Sequence, residues 1–382
     1  MTSWNTWLGG RIRRQTSGGA FIPEIDGLRF VAIASVVAFH LHAQLDRYYT
    51  VRFPGIASRL LGHGDRGVSL FFVISGFVLA LPFASHRLRE GAKVDLRRYF
   101  QRRLTRLEPP YVLNLVTCAV LLVVVSHKPG SFVVSRLLAS MSYCHSALYG
   151  ALSAVNPVAW SLEIEVQFYL IMPLLAYVFA IPGALPRRVT LIAAMLVAAI
   201  LQASWAHGPR VELSILYYVQ FFLAGLLLAD LYLVRCQRFH KNSAWDVLSL
   251  VAWPLVFLLD DGAVLHTLLP FVVVALYWAA FHGRLTNRLL RLPLLTSVGG
   301  MCYTIYLYHF LTIAFATRVL GHSVPALEMV GVSLVLICCV SLVFFLLVER
   351  PCMDKNWPAR IVAFAPRSKA QPKAAELRSV AS

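Results

Sequence analysis

Ten runs of mostly apolar residues, each close to the length a bilayer demands, dominate this chain. A spanning helix needs ~20 such residues. The runs cover approximately Leu28–Ala43, Val68–Phe83, Pro110–Ser126, Trp160–Ile181, Val189–Trp205, Leu213–Val234, Ala244–Leu259, Val264–Phe281, Val298–Leu320 and Val324–Val348. Backbone in hydrocarbon has no water to bond, so runs of this kind fold as helices that satisfy themselves. The expected fold is therefore all-α: a polytopic membrane helical bundle of about ten transmembrane helices. The stretch between Pro129 and Pro157 is where one span more or fewer best fits the pattern.

Composition agrees. Only 14% of the 382 residues are charged, whereas a soluble domain carries about a quarter. The net charge of +17 would suggest a nucleic-acid partner in a soluble protein. Its distribution says otherwise. Of the 35 Lys and Arg, 26 fall in the N-terminal tail and every second segment after it, and 8 fall on the alternate side, counting Arg318 at the outer end of the ninth run. The remaining one, Arg29, lies inside the first run. Positive charge marks the cytoplasmic side. Both termini are thus expected in the cytoplasm, in a multi-pass protein of the cytoplasmic (inner) membrane. Membrane lipid is the expected surrounding, and no nucleic-acid partner is expected.

Residues 1–22 read as a basic cytoplasmic tail, 23–351 as the transmembrane domain, and 352–382 as a flexible cytoplasmic tail rich in Ala, Ser and Pro. The first run contains Arg29 and His40 and has no small-residue cleavage site, so it reads as a span rather than a signal peptide. No segment outside the runs reads as a soluble domain. Of the seven cysteines only Cys144 falls on the outer side, so no structural disulfide is expected.

Ionisable groups at membrane depth are costly, and each needs a reason. Arg29 and His40 are eleven residues apart, about three helical turns. Both share one face, about 16 Å apart along the axis. Arg29 has the option of snorkelling to the headgroups, while His40 sits too deep for that. On the fourth run Ser161, Glu165 and Tyr169 recur every four residues and share a face. A buried carboxylate wants a cationic or protonated partner, and His40 is the group expected at its height. Such a pair either holds two helices together or makes the imidazole a general base. Arg103 and Arg106 lie three apart in the most basic loop, on what reads as a short interfacial helix ended before Pro109 and Pro110. They suit either phosphate or anionic headgroups. On the ninth run Tyr303, Tyr306 and Tyr308 precede His309, which is placed to line the same cavity as His40. Glu349 and Arg350 read as a helix-end ion pair. His40, His42, His63 and Asp65 have no ligand spacing, so no metal is expected.

These residues together resemble the acyltransferase-3 family of integral membrane O-acyltransferases. The resemblance rests on Ile25-Asp26-Gly27-Leu28-Arg29 with His40, and on Gly67-Val68 through Phe71-Phe72-Val73-Ile74-Ser75-Gly76-Phe77. It continues through Arg103-x-x-Arg106 with Pro109, Trp160-Ser161-Leu162 with Glu165 and Gln167-Phe168-Tyr169, and Tyr303 to His309 with Glu349-Arg350-Pro351. It runs from about Pro23 to Pro351. The chain departs from the family pattern at Ser69, where Asp is common, at Glu163, where a small residue is common, and at Val166, where an acidic residue is common.

The resemblance implies an enzyme that takes an acyl group, most often acetyl from acetyl-CoA, to hydroxyls of a glycan such as lipopolysaccharide, exopolysaccharide or peptidoglycan, or of a lipid-linked saccharide. It places the CoA phosphates on Arg103 and Arg106, and the chemistry on His40, Arg29 and Glu165. Asp26, Ser75, Ser161, Tyr169, Tyr303 and His309 stand in support. His40 either deprotonates the acceptor or carries the acyl group. A small secondary metabolite such as a macrolide is the rival acceptor. A transporter that binds acyl-CoA without turnover is the rival class.

Overall fold

The computed structural model describes residues 21–49, 55–205, 208–235, 241–260, 262–354 and 357. Most of the expected tails, 1–22 and 352–382, lies outside the described residues, as does Cys236. All regular structure among the described residues is helical. The chief helices are α1 (Pro23–Tyr49), α2 (Gly67–Leu88), α3 (Leu96–Val124), α4 (Gly130–Met141), α5 (Trp160–Leu175) and α6 (Ala184–Trp205). They continue with α7 (Ile215–Arg235), α8 (Ala244–Leu258), α9 (Ala263–His282), α10 (Pro293–Gly300), α11 (Cys302–Leu320) and α12 (Ala326–Phe344). The six described cysteines are free.

Among the described residues, eight helical segments are long and apolar enough to cross a membrane, and α10 with α11 makes a ninth if that bent pair is one span. The expected runs map onto these segments and onto the shorter apolar helix α8, so the helical bundle of the sequence reading stands, with eight or nine full-length spans. The seventh expected span is α8, a helix of 15 residues, and at ~1.5 Å per residue it is only ~22 Å long. Its C-terminal carbonyls are taken up by the loop ahead of α2. Arg66 donates to Val256 O (2.5 Å) and Leu259 O (2.7 Å), and His63 Nδ1 donates to Phe257 O (3.0 Å). These bonds anchor a helix end that would otherwise leave carbonyls unmet. Replacing Arg66 by Ala is expected to cost about 2 kcal/mol, since bonds from a charged donor are worth ~1.5–3 kcal/mol. The readout is the thermal midpoint of the purified protein, and an unchanged midpoint sinks this role.

The ninth expected span is broken. Pro293–Gly300 and Cys302–Leu320 meet at 71°. The break follows two poor helix formers, Gly299 and Gly300, and Gly299 has its own use: a Cβ there would stand 1.7 Å from Asp26 O. The expected helix end before Pro109 is also corrected. Helix α3 runs through Pro109 and Pro110. Pro109 lacks the N–H that would bond Thr105 O, and Trp357 Nε1 supplies the missing donor at 3.0 Å. Between Pro129 and Pro157 no full span forms. The 12-residue α4 folds back on α3, where Tyr111 donates to Ser140 O at 3.0 Å.

The core has two main parts. The larger collects buried side chains of α1, α2, α5, α7 and α9, among them Leu28, Ile33, Phe77, Phe168, Phe222 and Tyr277. The second joins α3, α4 and α11 through Tyr111, Leu115, Val133, Leu307 and Tyr308. Helices α2 and α7 pack backbone to backbone. A Cβ on Gly76 would meet Phe222 O at 2.3 Å, and one on Gly225 would meet Phe77 N and Val73 O at 2.4 Å. Phe222, next to this contact, stacks on Phe168 of α5 with centroids 4.0 Å apart. That stack carries α5, and with it Glu165, into register with α2.

Candidate active site

The first turn of α1 is gripped by glycine contacts. Gly27 lies against Leu290, where a Cβ would sit 2.1 Å from the carbonyl oxygen, and Gly299 lies against Asp26. So held, Asp26 accepts a 2.5 Å ion pair from Arg29 one turn on, with side chains 4% and 10% exposed. Arg29 is thus a compensated cation. Buried charges persist when paired in this way.

Ser161, Glu165 and Tyr169 share a face of α5 as their spacing predicts, and each is engaged. Tyr169 OH donates to Glu165 Oε1 at 2.6 Å, and Ser75 Oγ of α2 donates to the same oxygen at 2.8 Å. Tyr306 OH of α11 donates to Val158 O at 2.9 Å, so at 2.6 Å it receives the Ser161 hydroxyl proton. On α3, Arg103 folds back to donate to Tyr99 O at 2.9 Å. Its guanidinium lies 3.8 Å from the Tyr99 ring centroid and 5.9 Å from that of Tyr169. Cation–π contact of this kind orients the group.

A cavity of about 460 Å³ brings these together. Its polar lining holds Asp26, Arg29, Ser75, Ser161, Glu165, Tyr169 and Tyr303, with Arg102, Arg103 and Arg106 contributed by α3. Apolar residues of α1 and α2, such as Ile25, Phe71, Val78 and Leu79, form much of the remaining wall. Helices from both core clusters contribute. A long, flexible, partly apolar ligand with an anionic end matches this distribution.

His40 and His309 are not among the lining residues. They form their own pair beside it. His309 Nε2 lies 3.2 Å from His40 Nδ1, with ring centroids 5.0 Å apart. Tyr306, which does line the cavity, is 5.8 Å ring to ring from His309. The expected His40–Glu165 pair is therefore corrected. Glu165 faces Ser75 and Tyr169, while His40 of α1 packs on α11 and finds His309.

Three residues of this site were not singled out for it from the sequence. Tyr306 reads as one of several belt tyrosines, although its i, i+3 spacing to His309 was visible. Arg102 sits beside the noted arginine pair and is exposed. Glu349, read as half of an ion pair, lines the cavity and accepts from Thr304 N (3.2 Å) and Thr304 Oγ1 (2.5 Å). Its aim depends on a π-type turn over Phe345–Glu349, which rotates the residue relative to a regular helix. No sequence pattern announces that turn.

A family model described as an acyltransferase domain matches residues 22–349. The O-acetyltransferase OatA of Staphylococcus aureus (strain MRSA252) is 25% identical, covering 92% of this chain and 60% of its own length. The acyltransferase MdmB of Streptomyces mycarofaciens is also 25% identical, covering 90% of this chain and 95% of its own length. The chain thus spans about 60% of the length of the OatA relatives it matches. No solved structure matches.

Proposed function

The chain belongs to the acyltransferase-3 family of membrane acyltransferases, and on that premise we propose that it moves acetyl from acetyl-CoA to a hydroxyl of a cell-envelope or exported polysaccharide. The observation that carries this reading is the cavity, which joins three arginines to a carboxylate–hydroxyl belt through an apolar wall. Arg102, Arg103 and Arg106 bind the CoA phosphates as charge-assisted donors. The pantetheine arm lies along Ile25, Phe71, Val78 and Leu79. Arg29, already neutralised by Asp26, offers N–H groups to an amide carbonyl of the arm on its way toward His40, about 16 Å further along α1, without bringing net charge. Glu165 has both of its donors on Oε1, and its Oε2 accepts from an N–H of the arm. His40, beyond Tyr306, takes the acceptor proton. Relatives named as O-acetyltransferases support acetyl and oxygen as the group and the atom.

The test is donor turnover by the purified protein in lipid. Acetyl-CoA with acceptor polysaccharide is expected to yield free CoA and acetyl ester. A transporter yields neither. Comparing envelope glycans with culture metabolites by mass spectrometry, with and without the protein, identifies the acceptor, and an acetylated metabolite would replace the glycan reading. The arginines make a sharper prediction. Arg103→Ala with Arg106→Ala is expected to raise KM for acetyl-CoA by ~10- to 100-fold, the worth of one or two charge-assisted bonds. KM for acetyl-pantetheine, which lacks the nucleotide and its phosphates, is expected to hold. An equal rise for both donors would remove the arginines from phosphate binding.

A further inference from the structure

The two histidines beside the cavity constrain each other's protons. His309 is fully buried in α11. Its Nδ1 lies 2.8 Å from Tyr306 O and 3.0 Å from Ile305 O. Carbonyl oxygens only accept, so Nδ1 carries the hydrogen, and in a neutral ring Nε2 is then a bare lone pair. That lone pair faces His40 Nδ1 at 3.2 Å. His40 Nδ1 has a second neighbour, Val36 O, at 3.0 Å. Both neighbours of His40 Nδ1 are acceptors, so this nitrogen is also the protonated one. His40 Nε2 is left with its lone pair, and the His40 ring packs against those of Phe39 and Phe310, with centroids 5.1 and 5.4 Å apart.

We infer that His309 is a positioning residue for acyl transfer: its neutral Nε2 holds the His40 ring in the tautomer that exposes a basic Nε2, and it receives the charged Nδ1–H when that nitrogen is protonated. The inference rests on the acyl-transfer reading above and assigns a role that reading leaves open. The proton count closes. The acceptor O–H proton passes to His40 Nε2 as the oxygen bonds the thioester carbon. The C–S bond breaks, and the leaving thiolate takes the proton back from Nε2. His309 gains and loses none. A neutral imidazole here does what a carboxylate does in other base–orienter pairs, with no net charge added to an apolar layer. The Val36 carbonyl alone belongs to α1 and turns with it. His309 ties the ring to a second helix, one whose Tyr306 lines the donor cavity.

Two arms test this on the full-length protein in bilayers. Solid-state spectra of ¹⁵N-histidine protein, assigned by signals lost in His40→Gln and His309→Gln, report which nitrogen carries hydrogen. Both rings are expected with Nδ1 protonated and Nε2 bare; an Nε2-protonated His309 overturns the inference. The second arm is kinetic. His309→Leu is expected to lower kcat ~10- to 100-fold, the worth of a bond to a charged group. KM for acetyl-CoA should stay within about twofold, because His309 is outside the donor cavity. His309→Gln, which restores an acceptor oxygen near the lost Nε2, is expected to recover most of kcat. An unchanged kcat in His309→Leu, or a glutamine variant no better than leucine, overturns it. Wild-type protein with the expected spectrum but no acetyl transfer would support the proton assignment and sink the acyl-transfer reading, so the two failures are distinct.

Discussion

His40→Ala protein is expected to insert and purify like wild type, bind acetyl-CoA with nearly the wild-type KM, and transfer acetyl about a thousandfold more slowly. The size follows from the role. A positioned acid–base group contributes ~10²- to 10⁴-fold, and a covalent acyl carrier would be missed at least as much. The near-constant KM follows from the geometry, since the donor cavity is lined without His40. Stability should change little, because His40 is only partly buried and, among the described residues, is tied to another helix through His309 alone. Arg29→Ala is the necessary comparison. It too should be slow, but it takes from the Asp26 carboxylate, 4% exposed, the Arg29 cation it is paired with. Stranding one partner of a buried pair costs ~3–5 kcal/mol, so Arg29→Ala should also melt earlier. Single-turnover acetyl transfer in detergent, read beside the melting point, separates the two. Near-wild-type turnover in His40→Ala would remove the histidine from the mechanism.

Much of this site was legible because membrane proteins leave few charges to choose from. Arg29, Glu165, Arg103 and Arg106 stood out as ionisable groups in or beside apolar runs, and all four line one cavity. The i, i+4 face of Ser161, Glu165 and Tyr169 was a matter of helical period alone, and it stands. Pairings between helices were not legible. Height along the bilayer suggested His40 with Glu165, but height says nothing about azimuth. Packing of α1 on α11 puts His309 there instead, and Ser75 takes the carboxylate. Helix ends misled for a related reason. Pro109 looks like a stop until Trp357, far along the chain, satisfies the carbonyl it frees. The 15-residue α8 is as short as its apolar run, but the loop with His63 and Arg66 that caps its end is distant in sequence and was not legible. These pairings and helix ends are set by contacts 90 or more residues apart in sequence.

Gly225→Val is expected to abolish recovery of folded protein, the largest effect among the substitutions argued from packing. The atoms a Cβ on Gly225 would strike, Phe77 N and Val73 O at 2.4 Å, are backbone atoms of α2. A side chain in the way turns aside; a helix backbone does not. Helices α2 and α7 would have to separate by about an ångström, and close-packed interiors do not absorb that locally. Overpacking with flexible neighbours already costs ~1–3 kcal/mol, so a backbone clash should exceed that range. Small residues matter more in a bilayer, where helices associate through close packing rather than through escape from water. The contact also bears on chemistry. Gly76, the α2 side of the crossing, is next to Ser75, which holds Glu165, and Phe222, the residue it meets, stacks on Phe168 of the same α5. Gly225→Ala, the mildest version, should therefore yield some folded protein whose turnover has fallen with the placement of Glu165. Gly331→Ala provides the contrast. It lies in α12 with nothing within 4 Å of its Cβ position, and removing a mid-helix glycine there should stabilise by ~0.5–1 kcal/mol. Monodisperse yield on size-exclusion chromatography and the thermal midpoint read both. Gly225→Val protein recovered in wild-type amount, with a wild-type midpoint, would mean that α2 and α7 do not cross at Gly76 and Gly225.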